Sequence, residues 1–354
     1  MVDRGTICAV VITYNRKELL EECLNAILKQ TESVDSIYLI DNHSSDGTPQ
    51  FLYEKGYIKE LPPALINEPW EREFVINNPF GNNSLRFHYV RMHENVGGSG
   101  GFYEGVKRAY EKGYDWIWLM DDDAEPKIDC LEKLIRTFKD FRDYYVFTPL
   151  TVSPEGTVLH PHRGRINYIN LFRKTSIPVN EIPTSGIQKI SFTSFVGPLI
   201  SKNIIKKVGF PDGRFFIYHD DVEYSIRLSK EKDILMVTDS IIIHKENINR
   251  LDNKEIRVFF KTLSKRRYNI KNYWRIYYST RNIIYLSKLY QKSKIKFVYD
   301  LFLFTLRTIS GIILFDDYKL QRISLVAKAI YDGLTNKLGK RIEPENWIRR
   351  FNHK

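Results

Sequence analysis

Residues 6–13, Thr6-Ile7-Cys8-Ala9-Val10-Val11-Ile12-Thr13, are a nearly continuous apolar run, and this run most narrows what the chain can fold into. A strand with one wet face alternates apolar and polar residues. An unbroken run implies cover on both faces, as in a parallel sheet between layers of helices. The residues that follow agree. Leu19/Leu20, Cys23/Leu24 and Ile27/Leu28 recur at helical spacing on one stripe. Ile37-Tyr38-Leu39-Ile40 reads as a second strand, Leu85–Met92 as a third, and Trp116-Ile117-Trp118-Leu119-Met120 as a fourth, with a helix through Val106, Ala109 and Tyr110 before it. Strands alternating with helices predict a right-handed parallel α/β sheet. Pro62–Ser84 is turn-rich and reads as an insertion ahead of the third strand, and residues 151–190 as loops or short antiparallel strands. Regular signals return at Phe192–Ile200, in a short helix at Lys202–Val208, and at Ile234–Val237 and Ile241–Ile243.

In such sheets ligands bind outside the carboxyl ends of the strands. Each predicted strand ends there in a polar cluster: Thr13-Tyr14-Asn15-Arg16, Asp41 through Thr48, Asn95 through Gly101, and Asp121-Asp122-Asp123. Carboxylates two apart at a strand end can share a hard divalent cation, Mg²⁺ or Mn²⁺, which keeps other positions for water and phosphate oxygens. The alternative is an acidic turn capping a helix that starts near Ile128. Gly97, Gly98, Gly100 and Gly101 follow the third strand and lack the dinucleotide-binding spacing. They are expected to let backbone approach a sugar or phosphate.

Read together, V-V-I-T-Y-N-R, D-N-H-S-S-D-G-T and the aspartate triad resemble a family 2 glycosyltransferase of GT-A fold. Residues 95–126, with Phe215–Leu228 and Ile243-His244, resemble its galactofuranosyltransferase-like branch, the likeness covering roughly residues 5–246. The resemblance implies a Rossmann-like, mostly parallel sheet with a short antiparallel part. It implies that Asp41 recognises the base, that Thr13, Asn15 and Arg16 surround the nucleoside and diphosphate with Asn95, Gly97 and Gly98 nearby, and that Asp122 contacts the donor sugar or ribose. It further implies that Asp121, Asp123 and His244 bind the metal, and that Asp221 is the general base, supported by Asp220 and Glu223. An inverting transfer needs one carboxylate to take the acceptor proton and no second acid where a metal stabilises the leaving diphosphate. Like charges at Asp220 and Asp221 should push one pKa upward; the structural alternative is an acidic helix N-terminus. Phe195 lies in the segment where the branch places acceptor contacts, without the tryptophans often found there. The donor implied is UDP-galactofuranose, with dTDP-rhamnose or another UDP-hexose as alternatives. The acceptor implied is a saccharide or lipid-linked saccharide in cell-surface polysaccharide synthesis.

Charge divides the chain. Residues 250–354 hold 24 Lys and Arg against 8 Asp and Glu, whereas 1–249 hold 30 against 35. A catalytic domain over 1–249 and a basic, aromatic helical domain over 250–354 are therefore expected, the latter meeting an anionic membrane surface or an oligomer partner. Phe297–Phe315 approaches membrane-spanning length, but Asp300 and Arg307 would each cost roughly 2.5–3.5 kcal/mol at a bilayer centre. A helix in a bundle or in the headgroup plane fits better. Nucleic acid is not expected as a partner, because no recognition signature accompanies the charge. A catalytically silent assembly partner is disfavoured by the intact Asp121, Asp123, Asp221 and His244 set. Cys8, Cys23 and Cys130 form no C-x-x-C pair, and no secretory signal is read at the N-terminus, so the expected location is cytoplasmic, at the inner face of the membrane.

Overall fold

The computed structural model describes residues 4–81, 83–172, 175–177, 181–183, 185–245, 251–258 and 261–351. They fall into two compact units, one of Met1–Ile166, Thr175–Gly213 and Asp220–Glu246, the other of Asn167–Lys174, Arg214–His219 and Asn247–Lys354. The boundary expected at 249–250 lies outside the described residues.

In the first unit the chain runs β1 (Ile7–Thr13), α1 (Lys17–Leu28), β2 (Ser36–Asp41), α2 (Thr48–Glu54), β3 (Trp70–Asn77), β4 (Ser84–Arg91), α3 (Gly97–Lys112), β5 (Trp116–Asp121), β6 (Ala124–Pro126), α4 (Cys130–Asp140) and β7 (Val146–Val152). It continues with β8 (Arg163–Arg165), β9 (Thr175–Ser176), β10 (Ile187–Ile190), β11 (Phe192–Thr193), β12 (Leu199–Ser201), α5 (Lys202–Val208), α6 (Asp220–Glu231) and β13 (Ile234–His244). The main sheet is ordered β10-β13-β7-β12-β5-β1-β2-β4-β3, with β6 also on β13. Six of its strands point one way, because β4, β2, β1 and β5 are mutually parallel and the antiparallel β12 restores that sense in β7 and β13. Every residue of β1 is buried. Its alternate side chains serve two cores: Ile7, Ala9 and Val11 meet Leu20, Cys23, Leu24 and Ile27 of α1, while Cys8, Val10 and Ile12 share a cluster with Phe102, Val106 and Ala109 of α3.

Two expectations change here. Pro62–Ser84 is not all loop: Trp70–Asn77 is an edge strand paired antiparallel with β4 from Trp70↔Arg91 to Asn77↔Ser84. The glycine cluster, expected to let backbone approach a sugar or phosphate, forms the first turns of α3. A Cβ on Gly101 would stand 2.7 Å from Ile12 Cγ2, and one on Gly105 2.3 Å from Val10 Cγ1. These hydrogens let the helix lie close on β1. At Gly98, by contrast, a Cβ would meet nothing within 4 Å.

The second unit opens with a hairpin, β14 (Leu251–Val258) against β15 (Lys261–Tyr268), where a helical start was expected. The helices α7 (Trp274–Tyr290), α8 (Lys294–Phe315), α9 (Lys319–Leu334) and α10 (Pro344–Arg350) follow. Tyr273, Trp274, Tyr277 and Tyr278, aromatics of the basic C-terminal stretch, are core residues packed with Leu325, Val326 and Ala329. Some of the basic excess is internal as well. Arg281 is buried and donates to the Phe215 and Gly339 carbonyls, and buried Arg322 to the Tyr268 carbonyl. Beside Arg281, the buried Asn282 amide donates to the Phe215, Ile217 and Tyr218 carbonyls, tying down a turn in which Phe216, Tyr218 and His219 all have positive φ. Such backbone costs of order 1–3 kcal/mol per residue.

Candidate functional site

The parallel strands end level. Register sets Thr13 beside Asp41 and Asp41 beside Arg91, while Ile12 pairs with Asp121 across β1 and β5. With neighbouring strands about 4.8 Å apart, the polar residues at these ends must share one edge.

Asp121 closes β5 half-buried, and Asp122 and Asp123 are buried beyond it. The chain then turns back as β6, which pairs with β13 so that Ala124 faces His244. The Lys245 amide donates to the Asp123 carbonyl at 2.9 Å. This pairing joins residues 121 positions apart and brings His244 Nε2 to 3.1 Å from Asp123 Oδ1. One ligand atom each from Asp121, Asp123 and His244 lie within 4.8 Å of one another. Arg16 reaches in from the β1 end, bonded to Asp123 and 3.1 Å from Asp122 Oδ1.

The acids are not balanced. Burial, then the Asp123 charge, pushes Asp121 up to about 6. Burial pushes Asp122 up to about 7 against the pull of Arg16. Burial acts to raise Asp123 too, but His244 and Arg16 outweigh it and hold that carboxyl at about 2. The buried Oδ1 atoms of Asp122 and Asp123 receive no hydrogen bond of good geometry, although Arg16 and His244 stand close. Two carboxylates that cannot both ionise cheaply, a buried oxygen short of a donor and one imidazole form a donor set that fits a hard divalent cation such as Mn²⁺ or Mg²⁺.

Asp220 and Asp221 open α6. Burial, then the Asp221 charge, lifts Asp220 to about 8, so Asp220 is largely protonated at neutral pH. Asp221 is half-buried, accepts from the Val222 amide at 2.8 Å, and its charge is felt at Asp121. The expected upward shift thus falls on Asp220, the more enclosed of the two. Glu223 is bound by Arg227, with Nε 2.8 Å from Oε1 and Nη2 2.7 Å from Oε2. Arg227 also donates to the Phe210 carbonyl, so Glu223 braces the start of α6.

Other expected contacts are turned inward. Asp41 is 0% exposed; its Oδ1 accepts from the Ser44 amide at 2.8 Å, and its Oδ2 from Tyr89 at 2.7 Å and Arg91 at 2.6 Å. No face of this carboxylate is open to a base, and it holds the β2 loop instead. Asp122 is likewise enclosed: its Oδ2 accepts from Thr13 Oγ1 at 2.8 Å and the Tyr14 amide at 3.3 Å, and its Oδ1 stands 3.1 Å from Arg16. Phe195 is buried against Phe102 and Tyr224, with ring centroids 4.5 and 6.0 Å away, and belongs to the core rather than to an acceptor surface. Asn15, at φ 54°, accepts from the Ser45 amide and locks the β1 loop to the β2 loop. Asn95 accepts from the Gly97 amide at 2.9 Å and starts α3. Gly97 itself sits at φ 76°.

Three participants were not foreseen. Tyr89 and Arg91 come from the far end of an alternating strand, where only the register that sets Arg91 beside Asp41 and Tyr89 beside Leu39 gives them meaning. His162 packs edge-on against His244, centroids 4.8 Å apart, with its Nδ1 2.8 Å from Ser194 Oγ. Two histidines, His160 and His162, in an irregular stretch carried no signal that could have singled it out.

Comparison with known proteins adds to this geometry. The family model described as glycosyl transferase family 2 matches residues 8–209, more than half of the chain. A galactofuranosyltransferase, GlfT1 of Mycolicibacterium smegmatis, is 27% identical over 233 residues, covering 64% of this chain and 67% of that protein. An N-acetylglucosaminyl-diphospho-decaprenol L-rhamnosyltransferase of Mycobacterium tuberculosis is 21% identical over 239 residues, 62% of this chain and 69% of the relative. Among solved structures, GalNAc-T7 with UDP, GalNAc and Mn²⁺ superposes with a TM-score of 0.55 at 12% identity, covering 95% of this chain and 57% of that one. S. aureus TarS 1-349 with UDP-GlcNAc superposes at 0.51 and 15% identity, covering 93% and 81%. At such identities the structural likeness speaks for the fold, a GT-A sheet.

Proposed function

The chain belongs to glycosyl transferase family 2, and from that premise we propose that it transfers galactofuranose from UDP-galactofuranose to a saccharide or lipid-linked saccharide acceptor. The transfer inverts the anomeric carbon, uses Mn²⁺ or Mg²⁺, and serves cell-surface polysaccharide assembly at the cytoplasmic side of the membrane. The chemistry belongs to residues 1–249. The observation that carries the reading is the convergence of Asp121, Asp123 and His244 within 4.8 Å beside Asp221 at the carboxyl edge of the sheet. The likeness to galactofuranosyltransferases supports the choice of donor.

The roles follow from charge and exposure. Asp121, Asp123 and His244 hold the cation, which when bound supplies positive charge to the leaving nucleoside diphosphate. Arg16, paired with Asp123 and Asp122, is the cationic side chain within reach of a diphosphate at this edge. Thr13, Asn15, Asn95 and Gly97 fix the loops around the donor, and the open space over Gly98 admits it closely. Asp221 takes the proton from the acceptor hydroxyl as that oxygen bonds to the anomeric carbon, while the bond from that carbon to the diphosphate breaks. Asp220 remains neutral and adds no second charge beside the base.

A dTDP-rhamnose donor is the second reading, favoured by the rhamnosyltransferase likeness. Donor hydrolysis by the purified protein with Mn²⁺ separates the two. UDP-galactofuranose should be consumed at least about tenfold faster than UDP-galactopyranose, UDP-N-acetylglucosamine or dTDP-rhamnose, a margin of ~1.4 kcal/mol at the transition state. Preference for dTDP-rhamnose would move the chain to the second reading, and indifference to every nucleotide sugar would overturn both.

A further inference from the structure

The second unit carries a surface that transfer chemistry does not use. On α8 the residues Ile295, Val298, Tyr299, Phe302, Leu306 and Ile313 are all exposed, Ile295 by 86%, Phe302 by 62% and Leu306 by 52%. They recur at steps of three and four and make one apolar stripe. From Ile295 to Ile313 the stripe is about 27 Å long. Isolated exposed apolar residues need no explanation, but a contiguous stripe of this length does.

The opposite side of α8 is fixed to its own unit. Phe297, Asp300, Gly311 and Ile312 are buried. Asp300 accepts from Asn170 at 3.0 Å, Gln291 at 2.8 Å and Lys296 at 2.8 Å. Among the described residues α8 is the one helix long and apolar enough to cross a membrane by length and composition. Crossing would strip Asp300 of Asn170 and place it with Arg307 in hydrocarbon, where charges are costly. Lying in the interface asks for neither.

Charge selects the occupant. Between residues 292 and 315 the cations are Lys292, Lys294, Lys296 and Arg307, and the lone acid, Asp300, is turned inward. Lys292, Lys294 and Arg307 are exposed, as is Lys319 just past the helix. A second copy seated stripe to stripe would bring these cations together, and the exposed acid beside them, Asp317, is already held by Arg322. Anionic lipid headgroups answer them directly.

We propose that α8 is an interfacial anchor that lies in the plane of an anionic bilayer, with Ile295, Phe302, Leu306 and Ile313 inserted at the level of the headgroup–acyl boundary. The inference is independent of which donor the enzyme uses. Such an anchor holds an enzyme where lipid-linked acceptors are displayed.

Flotation of the full chain with mixed phosphatidylglycerol–phosphatidylcholine vesicles tests it, against phosphatidylcholine vesicles alone. The parent should float with the anionic vesicles, and Phe302→Ser combined with Leu306→Ser should bind about tenfold more weakly or worse. Leu61→Ser, an exposed apolar residue of the other unit, should bind as the parent does. The three native cysteines are buried, so spin labels on Ile295→Cys, Leu306→Cys and Ile313→Cys report depth without further substitution. Equal shallow depth at all three is expected. A graded depth means a spanning helix and overturns the proposal, as does a parent that ignores anionic vesicles, or a double variant that floats unchanged. A parent dimer that the double variant converts to monomer, with no vesicle binding by either, assigns the stripe to a second copy and overturns it equally.

Discussion

At the scale of single residues, the site is a set of carboxyls whose unequal surroundings give them unequal tasks. Asp221 is the more accessible member of its pair and Asp220 the enclosed one. Asp221→Asn should therefore lower kcat by about 10²-fold or more, the usual worth of a positioned base, while UDP affinity stays near the parental value. Parental turnover in that variant would move the base elsewhere. Asp220 makes a prediction about pH. A carboxyl raised to about 8 in the fold binds its proton more tightly there than in the unfolded chain, where the value is near 4. Its favourable contribution is complete below about pH 4 and is lost as pH rises through 8. Asp220→Asn should remove that slope and make the protein about 1–3 kcal/mol more stable than the parent at pH 9, read from urea unfolding at pH 5 and pH 9. Parallel pH profiles for the two proteins would contradict the shift. The roles expected of Asp41 and Asp122 were not legible at this scale. Tyr89 and Arg91 hold Asp41, Thr13 and Arg16 stand against Asp122, and no local pattern relates residues so far apart in the chain.

At the scale of elements, what the sequence made plain is what burial makes plain. β1, β2 and β5 are covered on both faces, so they read as unbroken apolar runs, and the polar residues that stop them are the site. β3 was missed because it is an edge strand, with Glu71, Arg72 and Glu73 along it and little of it buried. The β14–β15 hairpin was missed because its basic residues read as an extension of the helices behind it. The glycines of α3 misled for a different reason: missing side chains admit a ligand or a neighbouring strand alike, and sequence cannot tell which. Gly105→Ala decides for this helix. The substitution gains up to ~1 kcal/mol in helix propensity, but its Cβ would press on Val10 at 2.3 Å, and overpacking costs about 1–3 kcal/mol. A lower urea midpoint is expected, and an unchanged or higher one would show that α3 does not sit that close to β1.

At the scale of the whole molecule, the described residues fall into two compact units, and the sequence marks a difference along the chain chiefly as charge. The +16 excess after residue 249 set that stretch apart in the sequence, yet it overstated its surface charge, since Arg281, Arg322 and Arg267 are spent on internal carbonyls and on Asp316. The first unit was the more legible because its sheet imposes register, and register is what brings His244 to Asp123 through β6 and β13. Calorimetric titration with UDP reads that junction most directly, in Mn²⁺ and in chelator, on the parent and on Asp123→Ala. UDP should bind the parent at least about tenfold more tightly with Mn²⁺ than in chelator, a difference of ~1.4 kcal/mol, and Asp123→Ala should abolish the difference. Equal affinity in both media for the parent, or an undiminished Mn²⁺ effect in Asp123→Ala, would contradict the proposed cation site.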